Sequence, residues 1–193
     1  MSGYLDVYVR STHRDRETLR RFVDEYVDRA ASEDRGDEQL MMLPLDLTRR
    51  ERALSARTAG GDAVWDAWDW EPAATLDHIL ERALSEPRRA FFVYLTSSDG
   101  RYAGGINLGF TTDDRVIFGV SIEDDEGEDA LSSARRAMAE LAEVFSADEG
   151  FVGAEVVAPL IEGAFPRDIT RVLATWTRDP YQERTPPEQR PRT

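Results

Sequence analysis

The sequence contains no cysteine, and this absence removes several kinds of chemistry. Without thiols the chain forms no disulfide bonds, carries no cysteine nucleophile and builds no zinc site on thiolate ligands. Lysine is absent as well, since all 24 basic residues are arginine. The sequence therefore excludes a Schiff-base lysine and the phosphate-binding lysine of a P-loop.

Histidine is scarce, and the usual catalytic sequence motifs are missing. The two histidines, His13 and His78, lie far apart in the chain. The chain lacks G-x-S-x-G, H-E-x-x-H and a G-x-G-x-x-G that opens a helix. We therefore predict no catalytic residue, no bound metal and no cofactor.

Long apolar runs are also absent. No stretch approaches the roughly 18 consecutive apolar residues of a transmembrane helix. The first residues, MSGYLDVYVR, do not have the basic and then apolar pattern of a secretory signal. We therefore expect a cytoplasmic protein without a membrane partner. The sequence does not indicate an oligomeric state.

Negative charge is in excess. The chain has 38 acidic and 24 basic residues, which gives a formal net charge of −14. A field of this sign repels nucleic-acid phosphates and anionic membranes, so we expect neither as a partner. It attracts a basic protein and accelerates its approach. Solubility alone is the alternative explanation for this charge, and the sequence leaves that alternative open.

The hydrophobic pattern predicts strands and helices along one domain. Alternating β-branched and aromatic residues predict strands, and apolar residues at i, i+3 and i+4 spacing predict amphipathic helices. The predicted strands are 4–10, 39–45, 90–97, 102–110, 115–123 and 151–159. The predicted helices are 14–31, a segment that starts at Glu71-Pro72, and a segment after residue 127 that ends at Gly150.

Two further segments and the C-terminus complete this description. Residues 46–63 have no clear pattern, and residues 168–177 fit a strand or a helix. Residues 178–193 are proline-rich and polar, which is typical of a disordered tail, so the predicted domain covers 1–177. Three consecutive strands between helices predict an α+β fold, with a mainly antiparallel sheet and helices packed on one face.

An acidic stretch follows the last of these three strands. In IEDDEGEDA, residues 122–130, six of the seven positions from 123 to 129 are acidic. Gly127 is misplaced for a calcium-binding EF-hand loop, so we predict no metal there. Glu128 and Asp129 suit the first turn of a helix, where they oppose its dipole. The earlier acids are either solvated or part of a docking surface. We assign them to partner binding: Glu123, Asp124, Asp125 and Glu126.

Three of the four tryptophans fall within DAVWDAWDW, residues 62–70. Trp70 precedes the predicted helix start and is expected to pack in the core. For Trp65 and Trp68 two interpretations stay open: core packing, or the edge of a surface that contacts a partner. Aspartates beside exposed indoles are typical of a contact surface for a basic partner. We assign four residues of this segment to that surface: Trp65, Asp66, Trp68 and Asp69.

Asn107 is a polar residue within a predicted strand, between Ile106 and Leu108. If the two apolar neighbours face the helices, the asparagine faces the other side of the sheet. A role in a pocket is one interpretation of this position. We predict the other, an exposed polar residue on a strand.

These features favour a binding or inhibitory protein over an enzyme. A small, acidic chain without cysteine or a catalytic motif has the general character of immunity proteins that neutralise basic bacterial toxins, a likeness of composition. We therefore predict that the protein binds a basic partner through electrostatic and aromatic contacts. The alternative is an enzyme with a carboxylate and arginine site on an α+β scaffold. A scaffold subunit or a small-ligand sensor is a third possibility.

Overall fold

The computed structural model describes residues 3–34, 40–44, 71–124, 128–154 and 172–178. The described strands form one antiparallel sheet, which confirms the predicted α+β class. They are β1 (Gly3–Ser11), β2 (Leu40–Pro44), β3 (Glu71–Ala73), β4 (Phe91–Leu95), β5 (Gly105–Phe110), β6 (Val116–Asp124), β7 (Glu149–Ala154) and β8 (Val172–Thr177). The described helices are α1 (Arg16–Tyr26), α2 (Arg29–Glu33), α3 (Leu76–Ser85) and α4 (Glu128–Val144).

The first strand of the chain lies inside the sheet. The strand order is β3-β2-β4-β5-β6-β1-β7-β8, and every pair is antiparallel. β1 pairs with β6 from Gly3↔Asp124 to Ser11↔Val116, and with β7 along its other edge. The N-terminal residues are therefore held between two strands from the second half of the chain.

Alternation along the strands divides the sheet into two faces. Val7 of β1 belongs to one buried core cluster together with Phe22 of α1, Ile79 of α3 and Leu141 of α4. These helices present the apolar sides of their surfaces to the first face of the sheet, as predicted. The even-numbered residues of β1 point to the second face.

The segment predicted as one helix over 14–31 consists of two helices, so that prediction is wrong. Val27 is extended and forms an isolated β-bridge with Ser97. Asp28 then caps α2, because its side chain accepts a hydrogen bond from the amide of Ala31 at 3.0 Å. The apolar spacing continues across the break, so periodicity alone does not reveal it. The capping aspartate is the local signal for the second start.

Glu71-Pro72 forms part of a strand and does not start a helix. In β3, Pro72 pairs with Met41 at the end of the strand order. Proline is compatible with an edge strand, where its missing N–H leaves no internal ladder bond unmade. The helix starts at Leu76 instead, where the side chain of Thr75 accepts a hydrogen bond from the amide of His78.

Helix α4 ends well before Gly150, which lies in β7. The amide of Ala147 donates to the carbonyl of Ala142 at 2.9 Å, and the amide of Ser146 donates to that of Glu143 at 3.4 Å. This is the Schellman pattern of a helix end. Ser146 has a φ of 47°, so a serine holds the left-handed position that glycine usually occupies.

The other predicted elements agree with the structure in type and differ at their ends. Residues 172–177, within the segment that fitted a strand or a helix, form strand β8 at one edge of the sheet. Strand β5 begins at Gly105, later than predicted, because Gly100–Tyr102 forms a short 3-10 helix that is followed by a turn. Residues 46–63 and, apart from Arg178, the predicted tail lie outside the described residues. None of the described helices combines the length and the apolar composition needed to cross a bilayer.

Candidate functional site: the second face of the sheet

The second face of the sheet carries polar and aromatic residues outside the helix-facing core. On this face, Asp6 of β1 lies opposite Ser121 of β6, and Tyr8 lies opposite Gly119. Strand β5 adds Asn107, which lies opposite Gly119 on its other side. Strand alternation places further side chains on the same face: Tyr4, Arg10, Phe92, Tyr94, Ile117, Glu123 and Phe151.

A chain of hydrogen bonds joins three of these residues. The side-chain amide of Asn107 donates to Oγ of Ser121 at 3.0 Å, and the hydroxyl of Ser121 donates to Oδ1 of Asp6 at 2.6 Å. All three residues are buried, and Asp6 is only 8% exposed. The chain of donors thus ends on a carboxylate, which accepts and does not donate when it is ionised.

The prediction that Asn107 is an exposed strand residue is wrong. Its neighbours Ile106 and Leu108 are buried on the helix side, so Asn107 does face the opposite side, as the alternation indicates. It is nevertheless only 2% exposed. Buried amides require hydrogen-bond partners, and Ser121 on the adjacent strand provides one. The pattern of a single strand gives the direction of a side chain and not its depth.

Aromatic rings share this face, and a glycine makes room for one of them. The ring centroid of Tyr8 is 5.2 Å from that of Phe151 and 6.3 Å from that of Phe92. A Cβ added at Gly119 would lie 2.5 Å from Cδ1 of Tyr8, so glycine is the residue that fits beside this ring. Tyr94 continues the row, with its ring centroid 4.9 Å from that of Phe92.

Two tyrosines bring aromatic area from this face to the surface. Tyr4 is 39% exposed and Tyr94 is 38% exposed. The ring of Tyr4 lies against Gly104, where an added Cβ would be 2.6 Å from its Cδ1. Glu123 lies opposite Tyr4 in the pairing of β1 with β6, and it is exposed. We call the following four residues the tyrosine–carboxylate surface: Tyr4, Asp6, Tyr94 and Glu123.

The electrostatic character of this surface is evident at Tyr94. Partial burial and, to a smaller extent, the negative charge of Asp6 together raise the pKa of Tyr94 to about 12. The phenol therefore stays neutral at physiological pH and keeps its ability to donate a hydrogen bond. The influence of Asp6 also means that its field extends from β1 to β4.

A second polar cluster on this face pairs its own charges. Arg10 donates through Nε to Oε1 of Glu149 at 2.8 Å, and its Nη2 contacts the same oxygen. Arg115 lies 3.3 Å from Asp113 and 3.4 Å from Asp148. Because these arginines are matched by carboxylates of the same chain, the cluster is typical of a structural network. It gives no support to an enzyme with a carboxylate and arginine site.

Among the residues predicted to contact a partner, Glu123 is the one whose side chain the structure describes. It is exposed at the end of β6, and within the described ranges no arginine forms an ion pair with it. Asp124 also lies in β6, opposite Gly3 of β1. The other predicted contact residues lie outside the described ranges: Trp65, Asp66, Trp68, Asp69, Asp125 and Glu126.

Three residues of the tyrosine–carboxylate surface were missed by the sequence analysis: Tyr4, Asp6 and Tyr94. The signal for Asp6 is present in YLDVYVR, where a carboxylate interrupts an otherwise apolar and aromatic strand. Alternation also places Tyr4 and Asp6 on one side of that strand. Nothing in the sequence reveals that β6 lies beside β1, and this pairing is what joins them to Ser121 and Glu123.

Within the described ranges, no group of three or more histidine, aspartate or glutamate side chains is arranged to hold a metal ion. Comparison of the chain with protein-family models, with curated proteins and with solved structures gives no match in any of the three. The function is therefore inferred from the chemistry of the surface.

Proposed function

We propose that the protein binds a basic protein partner through the tyrosine–carboxylate surface. The observation that carries the proposal is the placement of partly exposed tyrosine rings beside carboxylates. Tyr4 lies opposite the exposed Glu123, and Tyr94 lies within the field of Asp6. Cationic side chains are attracted both to carboxylates and to the faces of aromatic rings, so the two kinds of group act together on one partner.

The charge of Glu123 supports this location. Some acidic residues of the chain are paired with its arginines, as in Arg16 with Glu81 and Arg82 with Glu71. Glu123 has no such pair within the described ranges. Its charge is therefore available to a partner, in addition to the long-range attraction that a net charge of −14 exerts on a basic protein.

Neutralisation of a basic toxin by an immunity-type protein is a specific form of this proposal. It is supported by the composition: a small acidic chain with no catalytic sequence motif. The exposed tyrosines add to that support, since tyrosine is enriched among the residues that dominate binding energy at protein interfaces.

Affinity purification with matched baits tests the proposal. The baits are the wild type, Tyr4→Ala, Glu123→Gln and Glu140→Gln. Glu140 is exposed on α4, on the other side of the sheet, so its substitution makes the same change in charge as Glu123→Gln. Retained proteins are identified by mass spectrometry, and the binding of the most enriched one is then measured by calorimetry at low and moderate salt.

We expect a basic protein that the wild type and Glu140→Gln retain equally. Tyr4→Ala is expected to weaken its binding about 10-fold or more, and Glu123→Gln about twofold to fivefold. Added salt is expected to weaken it further. A retained protein that is acidic, or that binds all four baits equally, would contradict the proposal.

A further inference from the structure

We propose that two copies of this chain associate through their β8 strands and form a dimer with one continuous sheet. The dimer is independent of the proposed function, because β7 separates β8 from the strand that carries Tyr4. It follows from the composition of β8, from the direction of its backbone groups and from the side chains that a second copy brings opposite them.

The two ends of the strand order differ in how well they resist pairing with a further strand. At one end, β3 has three residues, and its Pro72 has no amide proton to donate. At the other end, β8 has six residues, VLATWT, without a charge or a proline. Within the described ranges no ninth strand pairs with β8, and its Leu173 is 47% exposed. An edge of this composition is a template for another strand.

The backbone groups of β8 alternate between the β7 side and the outer edge. The amide of Arg178 donates to the carbonyl of Asp148, directly before β7, at 2.7 Å. Successive residues of an antiparallel strand direct their N–H and C=O groups to opposite sides, so the backbone groups of Trp176 also face β7. The N–H and C=O groups of Thr175 and Thr177 therefore point to the outer edge.

A second β8 strand matches this edge by two-fold symmetry. The register of β7 with β8 skips Leu173, so the regular part of the edge begins at Ala174. In the antiparallel register that pairs Thr175 with Thr177 of the other copy, both residues form hydrogen-bonded pairs within this regular part. The same register brings Trp176 opposite Trp176 of the other copy. That side chain is half-buried, so it has surface left for an aromatic contact between the copies.

Charge and size set the strength of this dimer. Residues 174–177 are uncharged, so no like charges lie opposite each other at the paired edge. Each copy nevertheless carries a formal charge of −14, which repels the other copy at long range. An interface of a few residues on each copy is also small. We therefore expect a weak dimer, with a Kd on the order of 0.1 mM, that added salt tightens by screening the repulsion.

Analytical ultracentrifugation of the full-length protein up to about 1 mM measures this association. Raising the salt from about 0.05 M to about 0.5 M is expected to tighten the dimer about threefold or more. Thr175→Pro removes an outward N–H and leaves the bonds to β7 in place, so we expect it to weaken the dimer about 10-fold or more. Thr175→Val is the matched control, since it keeps that N–H and is expected to leave association unchanged.

A second measurement uses the absence of cysteine from the chain. Thr177→Cys and Ser85→Cys each introduce one exposed thiol, the first on β8 and the second on α3, which packs beside β3. A bis-maleimide with a span of about 8 Å fits the diagonal separation of the two copies of residue 177 across the paired strands. We expect a cross-linked dimer from Thr177→Cys and none from Ser85→Cys.

Three results would each overturn the proposed dimer: a wild type that stays monomeric, a folded Thr175→Pro variant that dimerises like the wild type, or equal cross-linking of the two cysteines. If Thr175→Pro does not fold, the cross-linking comparison decides. None of these results bears on the basic partner, because its binding depends on Tyr4 and Glu123 and is weakened by salt.

Discussion

The hydroxyl of Ser121 donates a hydrogen bond of 2.6 Å to the carboxylate of Asp6, across the paired strands β6 and β1. The same hydroxyl accepts a hydrogen bond of 3.0 Å from Asn107. One buried oxygen therefore serves both neighbours. Asp6 belongs to the proposed contact surface. Its orientation therefore depends on a hydrogen bond from a residue in the middle of the chain.

Replacing Ser121 by alanine is expected to lower the free energy of unfolding by about 1–3 kcal/mol. The substitution removes the acceptor of the Asn107 amide and one donor to the carboxylate of Asp6, and both groups are buried. Denaturant unfolding measures the change. Thr175→Ala is the control, since Thr175 is an exposed hydroxyl residue of β8, and it is expected to change stability by about 0.5 kcal/mol or less. Equal effects of the two substitutions would contradict the structural role of Ser121.

Tyr94 is expected to ionise with a pKa of about 12, because its burial and the carboxylate of Asp6 disfavour the phenolate. Ultraviolet absorbance follows tyrosine ionisation, and the difference between the titrations of the wild type and Tyr94→Phe isolates this residue. Asp6→Asn removes the smaller of the two causes and is expected to move the pKa of Tyr94 part of the way towards 10. A difference titration centred near 10 in the wild type would contradict the described environment.

The same shift predicts how stability depends on pH. The pKa of Tyr94 is higher in the folded protein than in the unfolded chain, where tyrosine ionises near 10. Below pH 10 the phenol is neutral in both states, and this contribution is fully present. Between pH 10 and about 12 the unfolded state loses the proton first, so stability falls with rising pH. Tyr94→Phe is expected to show a smaller fall over this range.

Arg14 joins the end of α3 to the end of β5. Its Nη2 and Nη1 donate to the carbonyls of Ala83 at 2.8 Å and Pro87 at 2.9 Å, and Nη1 also donates to that of Thr111 at 3.1 Å. The side chain is 2% exposed. Burial lowers the pKa of Arg14, and nearby Asp114 opposes this effect, so the guanidinium stays charged.

Arg14→Met is expected to cost about 3 kcal/mol or more of unfolding free energy, since several carbonyls lose their donors together. Arg14→Lys is expected to recover less than half of this loss. A single ammonium cannot reach all the carbonyls that the wide, planar guanidinium contacts at the same time. The exposed Arg20 of α1 provides the control, and Arg20→Met is expected to change stability by about 0.5 kcal/mol or less. Full rescue by lysine would assign the effect to charge and not to the hydrogen bonds.

Ser146→Gly is expected to raise the free energy of unfolding by about 0.5–1 kcal/mol. Ser146 has a φ of 47° at the end of α4, and a side chain makes that conformation unfavourable. Thermal or denaturant unfolding measures the gain. Ser146→Ala keeps a Cβ and is expected to bring no gain. If both substitutions destabilise the protein equally, the hydroxyl of Ser146 has a role of its own.

The sequence predicts the class of the fold well because strand and helix periodicities are local. The α+β class and the antiparallel strands between α3 and α4 follow from such patterns. The residues at which helices break or end are harder to predict from sequence. Asp28 interrupts an apolar stripe that continues past it, and Ser146 takes the helix-ending position expected of Gly150. In both places a single hydrogen bond or backbone conformation determines where the helix starts or ends, and the spacing of apolar residues does not indicate it.

The candidate site was less predictable, because it is assembled by pairing between distant strands. Glu123 was predicted as a contact residue only because it lies in the acidic stretch 123–129. Asp6 and Ser121 have no comparable signal, since neither sequence neighbourhood indicates that the other lies opposite. Asn107 shows the same limit: alternation predicted its direction, whereas its burial depends on the whole sheet.

Replacing Glu123, Asp124, Asp125 and Glu126 together by serine is expected to leave folding nearly intact and to weaken association with a cationic partner. Glu123 is exposed and has no ion pair within the described ranges, so its removal costs little stability. Exposed acids contribute about 0.2–1 kcal/mol each to pairing with a cation, so the binding of hexa-arginine is expected to weaken about fivefold or more.

The matched control removes four exposed acids from the helix layer by amide substitution: Glu17, Asp24, Glu140 and Glu143. It changes the net charge by the same amount and leaves the end of β6 intact. Denaturant unfolding reports folding, and calorimetric titration with hexa-arginine reports association. If attraction came from total charge alone, both variants would lose affinity equally. A larger loss in the first variant places the attraction at the end of β6, beside Tyr4, where the exposed ring and carboxylate face the same partner.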